Sequence, residues 1–265
     1  MKNRDILVNK KRTDRPSRPS ANSSERLIAG THAIQEVLKV NPSHISKIIY
    51  TKETHAPLKT FIIEMSKKHR FIAEEKAKPV LDGLYQNHQN CLAWAKDRPE
   101  FNENNIGEKS LLLFLDGVED PHNLGAITRS SWLLNVDGIY IPDNRSVDLT
   151  PTTHKVACGG VEHVPITSET NFKNPIEHYK EIGFWVYGLS HKGKKTIFDV
   201  ELAPRTIFIL GAEDKGLRST TETLCDELVS IPQASSEASF NVSVAAALSL
   251  YEYRRQHFSS RSSKR

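Results

Sequence analysis

The sequence predicts an α/β protein whose larger part is a mostly parallel sheet with helices on both faces. Three observations carry this. Leu111 to Leu115 is an unbroken apolar run, short enough for a strand and suited to burial on both sides. Similar runs recur at GIYI (138–141), FWVYG (184–188) and TIFIL (206–210), with helix-patterned stretches between them. Most of these runs end at polar or Gly/Pro-containing turns, and in such folds ligands sit beyond the carboxyl ends of the strands.

The chain of 265 residues has room for one large domain or two smaller ones. Its formal net charge of +4 is mildly basic and by itself implies no nucleic-acid partner. No apolar run approaches membrane-spanning length, and the N-terminus lacks an apolar signal core. The expectation is a soluble cytoplasmic protein with no membrane partner. Cys91, Cys158 and Cys225 are far apart and form no Cys-x-x-Cys pair. They read as buried free thiols, with neither a disulfide framework nor a metal site.

In chain order, residues 1–24 form a polar tail with Lys10, Lys11, Arg12, Arg15 and Arg18 clustered in it. Such a stretch cannot offset its ordering entropy and is expected to be disordered, either as a solubilising tail or as a basic arm on RNA phosphates. Residues 258–265 form a second basic tail. A small α/β domain is predicted over residues 25–97. Thr31 caps a short helix through Leu38, and Ile45 to Tyr50 is a strand. Leu58 to His69 is a helix with Phe61, Ile62 and Met65 inward. Phe71-Ile72 is a short strand, Val80 to Tyr85 a short helix, and Cys91 to Ala95 a strand. His88 and Gln89 either touch a ligand or shape a turn. Residues 98–109 are polar and aperiodic, as in a linker.

The second domain, residues 110–257, opens with the Leu111 strand, ended by Asp116-Gly117. Asp120-Pro121 breaks the backbone. Asn123 then caps a helix whose inner face holds Leu124, Ile127, Ser131 and Leu134. The connection carries Asp116, Glu119, Asp120, His122 and Asn123, with Arg129 following, which is many polar groups for a plain turn. After GIYI comes the turn Pro142-Asp143-Asn144. A helix runs from Thr150-Pro151 to about Cys158 and stops at Gly159-Gly160. Val161 to Ile166 is a strand, Pro175 to Ile182 a helix, and FWVYG and TIFIL are strands. A short helix ends near Cys225, and Leu228 to Ile231 is the last strand. The final helix, Val242 to Tyr253, is apolar nearly all round its first turns and should be buried, capped by Ser239 or Asn241.

Three strand ends therefore collect polar residues: the opening turn, the GAEDKGL stretch at Gly211 to Leu217, and Ile231 to Asn241. The glycines of the second either admit a ligand close to the backbone or simply allow a tight turn. Its spacing is neither that of a P-loop nor that of a dinucleotide fingerprint. Taken in order, DPHNLGAITRS, then GAEDKGL, then SIP followed by SFNVSVAAAL resemble the SpoU/TrmH family of RNA 2′-O-methyltransferases. GTHAIQEVL, the HQ-x-x-LA stretch at His88 to Ala93, CGGVEHVPI and LCDELVSIP extend the resemblance from about Arg26 to Gln256. They point to the branch that methylates guanosine in bacterial 23S rRNA.

The resemblance implies more than the residues do alone. It implies an α/β fold whose C-terminal domain is a trefoil α/β-knot, preceded by a small ribosomal-protein-like RNA-binding domain. It implies S-adenosyl-L-methionine as cofactor, RNA as substrate (rRNA, or tRNA as the alternative) and a homodimer. Asn123, Arg129, Glu213, Ser239 and Asn241 match the family's polar active-site positions, and Gly211, Ile231 and Phe240 its cofactor pocket. Within that pattern Asn123 and Asn241 hold loop geometry or the ribose, and Glu213 orients Arg129 or a backbone group. Arg129 is the family's proposed base, yet a guanidinium keeps its proton and is a poor proton acceptor. A clamp that favours the alkoxide is the easier role. By residue type His122 is the better base, but the sequence does not aim it at a substrate. The chain departs from the family where Gln233 and Ser235 replace Met and Gly, Glu237 adds a charge, Phe240 replaces Leu, and, in the opening unit, Trp132 and Asn135 replace a small or acidic residue and a Gly. A catalytically impaired RNA-binding or ribosome-assembly protein of the same fold is the other reading those departures leave open.

Overall fold

The computed structural model describes residues 25–143, 149–213, 215–235 and 238–257. Both basic tails, Asn144, Asp214 and Glu237 lie outside the described residues.

The N-terminal unit runs β1 (Arg26–Ala29), α1 (Thr31–Val40), β2 (Ile45–Tyr50), α2 (Ala56–His69), β3 (Ile72–Glu75), α3 (Lys78–Asp82) and β4 (Cys91–Ala95). Its sheet has the order β1-β4-β2-β3, with only β2 and β3 parallel. Strand β1 escaped the sequence reading because four residues are too few to show a period. Leu58 and Ile62 of α2 are buried, with Phe61 and Met65 packed beside them. Thr31 does not cap α1. Gly30, at φ 97°, occupies the cap position, and the Thr31 N–H donates instead to Gln89 Oε1 at 3.1 Å. His88 is buried against Asp82 and accepts from the Asn90 N–H, while Gln89 and Asn90 are both left-handed. Both residues shape the turn before β4.

The C-terminal unit runs β5 (Ser110–Asp116), α4 (Pro121–Leu133), β6 (Gly138–Pro142), α5 (Pro151–Ala157), β7 (Ile166–Glu169), α6 (Lys173–Glu181), β8 (Trp185–Leu189), β9 (Lys195–Thr196), β10 (Arg205–Gly211), α7 (Ser219–Glu222), β11 (Glu227–Ser230) and α8 (Val242–His257). Its sheet order is β7-β6-β5-β10-β8-β11-β9, and every pairing is parallel. All of β5 is buried. Leu111, Leu113 and Leu115 join one core with α4 and α8, and Leu112 and Phe114 join the other with α6. Phe114 stacks on Tyr140, with ring centroids 4.4 Å apart. This is the two-faced burial that an unbroken apolar run requires.

Three expectations need correction. Val161 to Ile166 is not a strand: Gly160–Glu162 is a 3-10 turn, and pairing begins only at Ile166, after Pro165, which has no N–H to offer a ladder. Asn123 does not cap α4. Pro121 takes the first helical position, so the cap moves back to Asp120, which accepts from the His122 N–H at 2.9 Å. Helix α8 is buried on one face only, leaving Val244, Leu248 and Tyr251 exposed on the other. Residues 98–109, expected as a linker, are held down. Phe101 packs edge-on against Tyr140 and Tyr179, and Glu103 accepts from Tyr179 Oη.

The two units meet closely. Arg26 forms a two-pronged ion pair with Glu162, whose side chain is buried. His163 bonds to Glu36 at 3.1 Å while stacking on Trp132. Trp132, one of the departures from the family pattern, is thus part of this contact. Asn135, another, is left-handed at φ 53°, a conformation asparagine tolerates.

Candidate active site

Chain order and sheet order diverge at the centre of the large sheet. From β5 the chain moves outward through β6 and β7, then crosses to β8, and β10 later fills the gap between β5 and β8. The carboxyl ends of β5 and β10 lie side by side at this switch point, with Gly211 in register with Asp116. Open α/β sheets bind ligands at such a place.

Three side chains from distant segments converge there. Asn123 is on the first turn of α4, Glu213 is in the turn after β10, and Asn241 precedes α8. Asn123 Nδ2 donates to Glu213 Oε1 at 2.8 Å, and Asn241 Nδ2 donates to the same oxygen at 2.6 Å. Asn241 Nδ2 also donates to Asn123 Oδ1 at 3.0 Å. Asn241 Oδ1 accepts from the Ser243 N–H at 2.9 Å and so caps α8. The cap and the link to Glu213 and Asn123 are thus made by opposite ends of one carboxamide. Here Glu213 accepts from the two asparagines, while Arg129 bonds to Cys158.

The turn bearing Glu213 is shaped by its glycines. A Cβ on Gly211 would lie 2.0 Å from the Gly216 carbonyl carbon, so the chain folds back on itself where no side chain fits. Ala212 and Gly216 exchange both backbone hydrogen bonds, and Gly216 has φ 64°. The tight-turn explanation thus accounts for both glycines. The far end of the turn is anchored by Arg218, whose guanidinium pairs with buried Asp116 and whose N–H donates to Asp116 Oδ2 at 3.3 Å. The sequence reading missed Arg218, since nothing in the sequence marks a surface arginine as the partner of a carboxylate 102 residues earlier.

The remaining predicted residues make no side-chain bond to this cluster among the described residues. Arg129 is exposed two turns further along α4, and its Nη1 donates to Cys158 Sγ at 3.4 Å. Ser239 is exposed just before the α8 cap, and Phe240 beside it is 41 % exposed. Ile231 is half-buried directly after β11. His122 is exposed and bonds only to Asp120 among the described residues. Gln233, which stands where the family has Met, donates to the Ala238 carbonyl at 2.8 Å and closes the loop before α8. Among the described residues no group of three or more His, Cys, Asp or Glu side chains forms a metal-ligand set, and no helix is long and apolar enough to cross a membrane. The thiols of Cys91 and Cys225 are pushed up to about 12 by burial, which leaves them unreactive. The arrangement offers carboxamides to fix a hydroxyl, a guanidinium to bear on negative charge, and main chain with an exposed ring for a flat ligand.

Comparison with known proteins gives a consistent picture. Residues 110–251 match the SpoU rRNA Methylase family, and residues 27–100 match the RNA 2′-O ribose methyltransferase substrate-binding family. The 23S rRNA (guanosine-2′-O-)-methyltransferase RlmB of Pseudomonas aeruginosa is 33% identical over 86% of this chain and 96% of its own length. The RlmB of Vibrio cholerae is 34% identical over 90% of this chain and all of its own. Among solved structures, the SpoU methyltransferase AviRb of Streptomyces viridochromogenes, in complex with AdoMet, superposes with a TM-score of 0.77 at 24% identity. It covers 90% of this chain and 92% of its own, and shares the fold.

Proposed function

The chain belongs to the SpoU rRNA methylase family, and from that premise we propose that it methylates a guanosine ribose 2′-hydroxyl in 23S rRNA, with S-adenosylmethionine as methyl donor. The observation that carries this is the mutual bonding of Asn123, Glu213 and Asn241 at the switch point of the sheet. It unites three segments up to 118 residues apart, the three that carry the resemblance. End-to-end similarity to relatives named as 23S rRNA guanosine-2′-O-methyltransferases supports the substrate.

The residues present fit the cofactor. Gly211 and Ile231 stand at strand ends where main-chain groups are offered, and Phe240 exposes an aromatic ring just before α8, groups suited to adenine and amino-acid contacts. Bound S-adenosylmethionine supplies a methyl group already activated by its sulfonium. The protein's task is to hold the ribose oxygen in line and favour loss of its proton. Asn123 and Asn241 fix the loops that frame the ribose, and Glu213 locks their amide orientations. Arg129 stabilises the oxyanion electrostatically rather than accepting the proton. Ser239 is a polar contact to the substrate.

Residues 25–97 serve as the RNA-binding part and 110–257 as the catalytic part, in the cytoplasm, where the rRNA is. The exposed α8 residues Val244, Leu248 and Tyr251 lie on one stripe, which supports a homodimer through that face. The C-terminal segment is taken to thread the knot that the family implies. In support, α8 bonds to parts of the chain far upstream: Tyr253 Oη to the Ser110 and Pro204 carbonyls, and Arg254 to the Leu134 carbonyl.

Calorimetry with S-adenosylmethionine tests the reading. Wild type is expected to bind in the micromolar range, about −8 kcal/mol, and Asn241→Ala to lose most of that. Absence of binding by folded wild-type protein, with or without RNA, would overturn it in favour of an inactive RNA-binding protein.

A further inference from the structure

We propose that Cys158 is a positioning residue for Arg129, fixing the guanidinium through its sulfur. This rests on the reading of Arg129 as the group that acts on the ribose oxygen.

The thiol is held from both sides. Cys158 Sγ accepts from Arg129 Nη1 at 3.4 Å and donates to the Lys155 carbonyl at 3.5 Å. Its backbone is left-handed, φ 51° and ψ 32°, which is uncommon for a non-glycine residue and is held here by the turn that ends α5. The two glycines that follow keep this turn in place. A Cβ on Gly160 would lie 3.0 Å from the Thr128 carbonyl oxygen and 3.3 Å from Arg129 Cα, so the turn lies directly under the arginine's own backbone. A Cβ on Gly159 would lie 2.4 Å from Glu36 Cγ of α1, and one on Gly30 would lie 3.1 Å from Lys155 Cγ. The N-terminal unit therefore presses on the same turn from the other side.

Arg129 needs such a support. Its side chain is exposed, and among the described residues the Cys158 thiol is the hydrogen-bond partner of its guanidinium. A free arginine samples many rotamers and loses that freedom when it engages a substrate. A contact that selects one rotamer before substrate arrives removes part of that cost from the reaction. The bond is long and soft, as befits sulfur, so the guanidinium keeps its remaining donors for substrate oxygens.

The test uses the full chain carrying Cys158→Ala or Cys158→Ser. Modification of Arg129 by phenylglyoxal, followed by peptide mass spectrometry without cofactor, reads the guanidinium's freedom. The alanine variant is expected to react several-fold faster than wild type, and the serine variant, which keeps a small acceptor, at close to the wild-type rate. Equal rates in all three proteins would overturn the proposal. Methyl transfer to rRNA is the second readout. In Cys158→Ala, kcat should fall about tenfold with KM for S-adenosylmethionine unchanged, and Cys158→Ser should recover most of it. An unchanged kcat beside faster modification would refute a positioning role in the reaction. Faster modification with no methyl transfer by wild type would leave the contact established and remove the proposed activity instead.

Discussion

Asn241 performs two tasks with one side chain: its oxygen caps α8 and its nitrogen ties Glu213 to Asn123. Substitution can separate them. Asn241→Ala should lose about 1 kcal/mol of capping energy, lowering Tm by roughly 2–4 °C, and should also lose cofactor binding. Asn241→Ser, which caps without reaching Glu213, should regain most of the Tm and little of the binding, as differential scanning fluorimetry and calorimetry on the same samples would show. A second residue-scale prediction concerns His154. It is fully buried, its Nε2 has no partner among the described residues, and its pKa is pushed down to about 3 by burial, helped by the Arg26 and Arg98 guanidinium groups. It therefore stays neutral in the folded protein, while the unfolded chain protonates it below about pH 6.5. The unfolded state binds the extra proton, so stability falls as pH falls. The loss should reach about 2 kcal/mol between pH 7 and pH 5. His154→Phe should remove that part of the slope in urea titrations at the two pH values.

At the scale of elements, the turn between β10 and α7 sets where Glu213 stands. Gly211→Ala forces a Cβ into backbone only 2.0 Å away, so the turn must open. A cost of about 1–3 kcal/mol is expected, together with loss of cofactor binding, measurable by urea titration and calorimetry. Most elements were legible because their signals are local. The Leu111–Leu115 run, the TIFIL run and the Thr150-Pro151 start each carry their own pattern, and Thr150 does accept from the Thr153 N–H. What the sequence hid was set by tertiary partners. Strands β1 and β9 are too short to show a period. Glu162 sits in a 3-10 turn facing Arg26 from a unit far upstream. The exposed stripe of α8 has the same composition as a buried one, so apolar content alone could not reveal it. The site divides the same way. The strand-end clusters could be read off, but the pairing of Glu213 with the two asparagines, and of Arg218 with Asp116, needed the fold.

For the whole molecule, two contacts bear on the proposed function, one seen between the units and one proposed between copies of the chain. One joins the units through Arg26–Glu162 and His163–Glu36, which sets the N-terminal unit against the turn under Arg129. The other is the exposed α8 face. Replacing Leu248 and Tyr251 together by Glu should turn a dimer into a folded monomer in sedimentation velocity, because both side chains are exposed and neither supports the internal core. A monomeric wild type would refute that interface. Ribose methylation of 23S rRNA is checked by mapping 2′-O-methyl groups on that RNA after incubation with labelled S-adenosylmethionine. One labelled 2′-O-methylguanosine is expected with wild-type protein, and a strong loss of label with Asn241→Ala. Label on a base, or none on any ribose while the protein binds both cofactor and RNA, would contradict it.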